Sequence, residues 1–118
     1  MSHEGWNMTT IPPSYDISSE TLEKVKNLIK EDVEGIASIF KALSDHGRIK
    51  ILRMLEVNEL CVCAFVEVMN YKYSGLSYHL KLLKEANLVD FRREGSFLIY
   101  RLTDLGRKML GIIDELTD

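Results

Sequence analysis

The sequence predicts a mainly α-helical domain with one small β-hairpin, an α+β fold, from three features of the chain. Apolar residues recur every three or four positions through most of the sequence, as on one face of an α-helix. Two short helical stretches and a tight turn precede a helix with a polar face, residues 74–87. Two alternating segments then flank a turn at residues 94–96. Two short helices, a tight turn, a polar-faced helix and a hairpin are typical of a winged helix-turn-helix.

Length and composition favour one small domain. The chain has 118 residues, of which 46% are hydrophobic. No stretch approaches the roughly 18 uninterrupted apolar residues of a membrane helix, and the N-terminal residues lack the basic and apolar segments of a signal peptide. We therefore expect a cytoplasmic protein with no membrane partner, in which both cysteines are reduced thiols.

The first 43 residues set the domain organisation. Residues 1–17, with both prolines, predict a flexible arm, and residues 18–118 predict the domain, with dimerisation helices at both ends. Residues 18–43 form either one long helix that needs a partner chain to cover its apolar stripe, or two shorter, internally packed helices broken near residues 31–32. We expect a homodimer. Its predicted interface consists of Leu22, Val25, Ile29, Ile36, Met109, Ile112, Ile113 and Leu116.

The centre of the chain predicts the remaining elements. A break and cap at residues 44–47 precede helices at 48–56 and 60–70, Ser74 is a candidate N-cap for the polar-faced helix, and Thr103 caps the last helix. Gly95 suits a turn position with positive φ. The hairpin residues expected to pack on the core are Val89, Phe91, Leu98, Tyr100 and Leu102.

The charge distribution favours a nucleic-acid partner more than the total does. Net charge is −3, yet residues 72–101 carry six basic and three acidic side chains. This basic excess coincides with the polar-faced helix and the hairpin, so one cationic face can meet phosphate. Affinity for DNA should then fall steeply with salt.

Several motifs in the right order and spacing give the chain a family resemblance. Over residues 36–106 it resembles the arsenic- and zinc-responsive repressor family (ArsR/SmtB). The motifs are Ala42-Leu43-Ser44-Asp45, Arg48-Ile49-Lys50-Ile51-Leu52, Glu59-Leu60-Cys61-Val62-Cys63, His79-Leu80-Lys81-Leu82-Leu83-Lys84-Glu85-Ala86-Asn87-Leu88-Val89 and Arg92-Arg93-Glu94-Gly95. The resemblance implies a homodimeric repressor that leaves double-stranded operator DNA, an inverted repeat, when an effector binds.

The reading helix of that family usually begins Ser-x-Ser-x-Val-Ser-x-His-Leu. Gly75 and Tyr78 depart from the commoner residues, so base preference should shift toward Tyr78, Lys72 and Lys81. His79 either contacts DNA or hydrogen-bonds to the protein core. The residues predicted to contact DNA are Lys72, Ser74, Ser77, Tyr78, His79, Lys81, Arg92 and Arg93.

The pair Cys61 and Cys63 is the one motif with chemistry beyond DNA binding. Thiolates select soft or borderline ions, here Zn(II), Cd(II), Pb(II) or As(III). Cysteines two apart share one side of extended backbone but not of a helix, so joint binding works best where the chain enters a helix. In the family that this chain resembles, the pair supplies ligands of the sensor site.

Two departures from the family complicate a metal site. Ala64 and Val66 replace the family's usual aspartate and a frequent third cysteine, and residues 103–118 hold no histidine for the alternative site on the last helix. Two thiolates leave a zinc site incomplete, and the third ligand is either His3 or water. The alternatives to metal sensing are a lost sensor, with both cysteines as small apolar residues, and a redox switch.

The alternatives to a DNA-binding regulator are a protein-binding module and an enzyme. A winged-helix module that binds protein instead of DNA would fit the acidic total and Gly75, but not the basic segment 72–101. An enzyme is not expected, because His3, His46 and His79 belong to no obvious nucleophile-plus-base arrangement, and the chain has no glycine-rich phosphate loop and no metalloprotease motif.

Overall fold

The structure, a computed structural model, describes residues 16–117. The chain divides into two compact units, Met1–Asp32 and Val33–Asp118. In the first unit the described part holds helix α1, Ser19–Leu28, whose N-cap Ser18 accepts a hydrogen bond from the amide of Thr21 at 3.1 Å. The predicted arm lies almost wholly outside the described residues.

The second unit contains five helices and three strands among its described residues. A winged helix-turn-helix is therefore the observed fold, as predicted. The elements are α2 (Glu34–Leu43), α3 (His46–Val57), β1 (Leu60–Cys61), α4 (Val62–Met69), α5 (Tyr73–Glu85), β2 (Val89–Glu94), β3 (Phe97–Leu102) and α6 (Asp104–Leu116).

Residues 18–43 form two helices, so the single long helix was wrong and the broken alternative was right. The chain leaves helical geometry after Ile29 and resumes it at Glu34. Asp32 and Gly35 flank the restart, and both residue types are poor helix formers. The expected internal packing was right for α2, which contributes Ala42 and Leu43 to the core and packs Ile39 against it, and wrong for α1, which buries no residue.

The helix caps confirm two predictions and correct a third. The carboxylate of Asp45 accepts from the amide of Arg48 at 3.1 Å, and the hydroxyl of Thr103 accepts from the amide of Gly106 at 3.0 Å. Ser74 is not an N-cap. Helix α5 starts one residue before it, with Lys72 as N-cap and no side-chain capping bond, because the backbone of Lys72 is already extended (φ −73°, ψ 152°).

The sheet contains a strand that the sequence did not predict. Residues 60–61 were expected to begin a helix, but they pair with β3, giving the antiparallel order β1-β3-β2. Only two residues take part, too few for a period-two pattern to show. The hairpin turn falls where predicted, with Gly95 at φ +60°.

The core of the second unit lies between the helices and one face of the sheet. Its fully buried large side chains are Ile51, Leu52, Phe65, Leu76, Leu83, Leu88, Val89 and Leu110. Tyr100 and Leu102 are buried as predicted and Leu98 packs against the core, whereas Phe91 is 37% exposed. The Phe91 ring instead lies over Tyr100, with centroids 5.2 Å apart, at the edge of the sheet.

Gly106 permits α6 to lie close to the turn that follows α5. A Cβ at this position would stand 2.2 Å from the carbonyl oxygen of Leu88, which is backbone and cannot swing away. We expect Gly106→Ala to lower the free energy of unfolding by about 1–3 kcal/mol through overpacking. The matched change is Gly75→Ala, at a helical position with open space around it. This change should raise the free energy of unfolding by up to about 1 kcal/mol. Urea unfolding of both variants at equal concentration checks the pair, and equal shifts would refute the close approach.

Candidate nucleic-acid interface and thiol pair

Helix α5 is the predicted reading helix. One of its sides faces the core and the other is exposed. Leu76, Leu80 and Leu83 are buried on the inner side. Five of the predicted DNA-contacting residues are exposed on or beside the outer side of the helix. They are Lys72, Ser74, Ser77, Tyr78 and Lys81. The spacing of the leucines therefore fixes which side chains α5 presents to solvent.

His79 turns inward and belongs to a polar network. Its side chain is 17% exposed, and its Nδ1 accepts from Nη1 of Arg48 at 3.0 Å. Because a guanidinium can only donate, Nδ1 must be the acceptor and the ring proton lies on Nε2. Of the two roles foreseen for His79, the structure shows the hydrogen bond within the protein.

Arg48 is the buried centre of that network, with 7% exposure. Its Nε donates to the carbonyl of Ala42 at 2.7 Å, and Nη2 donates to the carbonyl of Lys41 at 3.1 Å. These carbonyls lie in the last turn of α2, where α-helical i+4 partners are missing, and Ser44 also donates to the carbonyl of Lys41 at 2.8 Å. Arg48 therefore fastens the end of α2 to α5.

Asp45 and Tyr71 complete the surroundings of His79. Desolvation opposes ionisation of Asp45, but the amide and the charge of Arg48 outweigh it, so the pKa of this carboxyl lies below its usual value. The Tyr71 ring lies 5.3 Å from the His79 ring, centroid to centroid. The Tyr71 hydroxyl occupies the space that a Cβ on Gly47 would need. Helix α5 is thus held in place by the hydrogen bonds of Arg48 and by the packing of Tyr71 on His79.

The wing is the hairpin of β2 and β3, and its two arginines, Arg92 and Arg93, differ in their partners. Arg92 donates Nε and Nη2 to the Glu94 carboxylate at 2.9 and 2.7 Å, and Nη1 to the Glu59 carboxylate. Hydrogen bonds to both carboxylates raise the pKa of Arg92. Arg93 is exposed and forms no ion pair with any residue of 16–117. Only Arg93 is therefore ready to meet a phosphate without first leaving a carboxylate.

Other cations near the wing are also engaged. Lys84 lies 3.6 Å from Asp90 and 5.5 Å from the centroid of the Phe91 ring, and Arg101 lies 3.8 Å from Asp90. Within the described chain, Lys72 and Lys81 share with Arg93 the absence of a carboxylate partner. These three form the cationic surface of α5 and the wing.

The cysteine pair stands where the chain passes from strand to helix, as the spacing predicted. Cys61 has extended backbone (φ −74°, ψ 160°) at the N-cap of α4, and Cys63 lies in the first turn. The structure joins them in a disulfide with their Cα atoms 5.3 Å apart, within the usual range for bridged residues. The expected pair of reduced thiols thus differs from the structure, because this strand-to-helix bend brings the two sulfurs together.

When the two cysteines are reduced, their chemistry fits a soft ion, because the two sulfurs are adjacent and Cys63 is exposed. Residues 16–117 contain no group of three or more His, Cys, Asp or Glu side chains arranged to hold a metal. A third ligand would have to come from elsewhere, and His3 lies outside the described residues.

The predicted dimer residues occupy different environments. Leu22, Val25 and Ile29 are exposed in the first unit, and in the second Ile36, Ile112 and Leu116 are 58%, 40% and 79% exposed. Met109 is buried in the core of its own chain, which contradicts its predicted place at a dimer interface, whereas Ile113 only packs against that core and its interface role stays a prediction. The reason is that α6 covers its own domain with one side.

Sequence reasoning missed three residues that shape this site. Arg48 and Glu59 were noted only within motifs, and Asp45 was noted only as part of a motif and of the predicted break and cap. For Arg48 a signal existed, because a charged residue stands at the helical spacing of inward-facing Ile51, Leu52 and Leu55. The partnership of Glu59 with Arg92 spans 33 positions, and no local pattern reports it.

An exposed reading helix seated on a helix-turn-helix, with a free arginine on the wing beside it, defines the class of winged helix-turn-helix DNA-binding proteins. No helix in residues 16–117 has the length and apolarity to cross a membrane.

Comparisons with known proteins place the chain more closely. Residues 45–90 match the model of the "Bacterial regulatory protein, arsR family". A Staphylococcus aureus homolog of the cadmium resistance transcriptional regulatory protein CadC is 38% identical over 86 residues, covering 72% of this chain and 71% of that protein. The Bacillus subtilis arsenical resistance operon repressor is 36% identical over 77 residues, covering 64% and 71%.

Among solved structures, the homodimeric winged helix-turn-helix DNA-binding domain of a possible ArsR-family regulator from Mycobacterium bovis superposes with a TM-score of 0.67. It is 25% identical, with 86% of this chain and 91% of that chain covered. The chain belongs to the ArsR family of transcriptional regulators, as its motifs had indicated. The curated relatives are named as regulators and not as enzymes.

Proposed function

We propose that this protein is a homodimeric repressor that binds an inverted-repeat operator in double-stranded DNA through α5 and the wing. The observation that carries the proposal is the cationic surface of Lys72, Lys81 and Arg93, which has no carboxylate partner within the described chain and flanks the exposed side of α5. Lysine and arginine side chains of this kind fix a protein on the phosphate backbone.

Base preference is assigned to the exposed polar groups of α5. Ser77 and Tyr78 project from the helix between the cations, and Tyr78 is 53% exposed. Gly75 presents no side chain, so the first turn of α5 reads less of the groove. His79 positions α5 and does not contact the DNA through Nδ1, because this nitrogen accepts a hydrogen bond from Arg48.

Two copies are needed to read an inverted repeat, whose half-sites lie about 34 Å apart. Ile36 and Phe40 of α2 are 58% and 60% exposed, and Ile112 and Leu116 of α6 are also exposed. Apolar side chains left open on two helices favour association with a second copy. The homodimeric Mycobacterium bovis domain supports this assignment.

For the effector, we infer a soft metal or metalloid ion held by Cys61 and Cys63 as thiolates. The naming of relatives for cadmium and arsenical resistance supports it, and so does the preference of thiolates for Zn(II), Cd(II), Pb(II) and As(III). Cys61 of β1 and Cys63 in the first turn of α4 would hold the ion, and the bound ion would supply two metal–sulfur bonds that restrain this bend.

A second candidate is a redox sensor, and the pairing of Cys61 with Cys63 in the structure favours it. Two thiols would form one disulfide, releasing two protons and passing two electrons to an external oxidant such as a peroxide. Both candidates act at the same strand-to-helix bend, so they differ in the chemical input and not in the part of the protein that receives it.

The DNA-binding proposal is tested by neutralising the cationic surface. Lys81→Gln with Arg93→Gln should weaken binding to an operator duplex selected from a random library and reduce the slope of log K against log salt by about 1.8. Lys108→Gln on α6 serves as control and should change neither quantity. Unchanged affinity and slope in the double variant would favour the alternative, a winged-helix module whose partner is a protein.

A further inference from the structure

The three-stranded sheet brings the thiol pair into line with the wing. Cys61 pairs with Ile99 of β3, and Ile99 pairs with Arg92 of β2. Directly paired residues of antiparallel strands project their side chains to the same face. Cys61, Ile99 and Arg92 therefore form one row across the sheet, about 10 Å from end to end at the usual strand spacing.

Glu59 closes this row from the side of the thiol pair. It lies two residues before Cys61, immediately ahead of β1, and its carboxylate accepts from Arg92 Nη1. The hydrogen bond from Arg92 lowers the pKa of Glu59. A carboxylate on the cysteine-bearing segment thus holds a guanidinium on the wing, 33 positions away in sequence.

The contact removes a cation from the DNA-binding surface. Arg92 donates to Glu59 and Glu94 together, while its neighbour Arg93 has no carboxylate partner within residues 16–117. Three of the five N–H donors of the Arg92 guanidinium are engaged by these carboxylates, so a phosphate must compete with Glu59 and Glu94 for this group.

We propose that Glu59 is a positioning residue that competes with DNA phosphate for Arg92 and transmits the state of Cys61 and Cys63 to the wing. The proposal rests on the proposed function, because it explains how an input at the thiols lowers affinity for the operator. In the structure, the two sulfurs are joined and Arg92 is held by Glu59 at the same time.

The physical basis is the shortness of β1. A two-residue strand makes few ladder bonds to β3, so its position is weakly fixed when both thiols are free. Joining the sulfurs, or holding both on one ion, orders the bend beside Glu59. The ordered segment keeps the carboxylate on Arg92, and the wing loses one phosphate contact. With free thiols, Glu59 moves with β1, and Arg92, then held by Glu94 alone, can offer its Nη1 to the DNA.

The test is a double-mutant cycle on Glu59→Gln and Arg92→Gln, measured with an operator duplex selected by the wild-type protein. A neutral amide holds a guanidinium less firmly than a carboxylate does. In protein treated with Cd(II) or oxidised with diamide, Glu59→Gln should bind the duplex about three- to tenfold more tightly. Its salt slope should become steeper by about 0.9, the value for one phosphate contact.

In the Arg92→Gln background, the same Glu59→Gln change should have no effect, because the released guanidinium is gone. Glu67→Gln on α4 is the control for loss of one acidic charge, since Glu67 is exposed and forms no ion pair with another described residue. An equal gain in both Arg92 backgrounds, or a gain as large in Glu67→Gln, would overturn the proposal, and so would no gain at all.

The proposed function fails in a different way. If the wild-type protein selects no duplex, or if its affinity is the same with free and treated thiols, the sensing repressor itself is wrong and the inference falls with it. If the wild type responds normally but the cycle shows no coupling between Glu59 and Arg92, the repressor stands and only the route through Glu59 is refuted. Thermal unfolding of each variant verifies that the exposed substitutions leave the fold intact.

Discussion

Replacing Arg48 by methionine should lower the free energy of unfolding by about 3 kcal/mol, because it removes a buried hydrogen-bonding centre. Methionine retains much of the packing of the side chain. The carbonyl of Ala42 and Nδ1 of His79 would lose the donor that Arg48 provides, and the carbonyl of Lys41 would keep Ser44 as its donor. Urea unfolding at fixed protein concentration measures the loss.

Arg53→Met is the matched control on the same helix. Arg53 is 36% exposed and pairs with Asp114 at 2.7 Å and Glu56 at 3.2 Å on the surface. Exposed ion pairs of this kind contribute at most about 1 kcal/mol. The Arg48 variant should also bind the operator duplex more weakly, since α5 loses its attachment to α2, whereas Arg53→Met should bind normally. If both arginines cost the same, the buried network has no special role.

The second large effect is expected for Cys61→Ser combined with Cys63→Ser. Coupling between an effector and DNA typically amounts to about 5- to 150-fold in affinity, and the double variant should reduce the response to within about twofold. Serine is nearly isosteric with cysteine but provides no soft ligand and forms no disulfide. Operator affinity of the reduced, metal-free double variant should equal that of the reduced, metal-free wild type, because neither cysteine lies on the cationic surface. Fluorescence anisotropy with and without the effector measures both quantities.

Parallel treatments of the wild type separate the two candidate inputs. Cd(II) with a reductant present tests metal sensing, and ultraviolet absorption of thiolate-to-metal charge transfer reports the number of sulfur ligands. Diamide without metal tests redox sensing. A double variant that still leaves its operator under one treatment would place the sensor for that input outside the thiol pair.

Local patterns in the sequence were sufficient for much of the fold. The spacing of Leu76, Leu80 and Leu83 defines the buried side of α5, and the turn at Gly95 follows from its requirement for positive φ. The caps at Asp45 and Thr103 rely on hydrogen bonds across three residues. Such signals arise within one or two helical turns and can be recognised before any packing is known.

The failures share a cause in interactions over longer distances. Strand β1 exists because Leu60 and Cys61 find partners in β3, nearly forty positions later, and two residues carry no pattern of their own. The break between α1 and α2 was foreseen only as an alternative, because the apolar spacing continues across it.

By itself the sequence determined the winged helix-turn-helix, the exposed side of its reading helix, the basic segment and the place of the thiol pair where the chain enters a helix. Only the tertiary structure decided which charged groups are free: it turned His79 inward onto Arg48, held Arg92 between Glu59 and Glu94, and left Arg93 open. The physical reason is that helix and turn signals are local, whereas the partner of a charge is chosen by whichever distant side chain the fold brings within hydrogen-bonding distance.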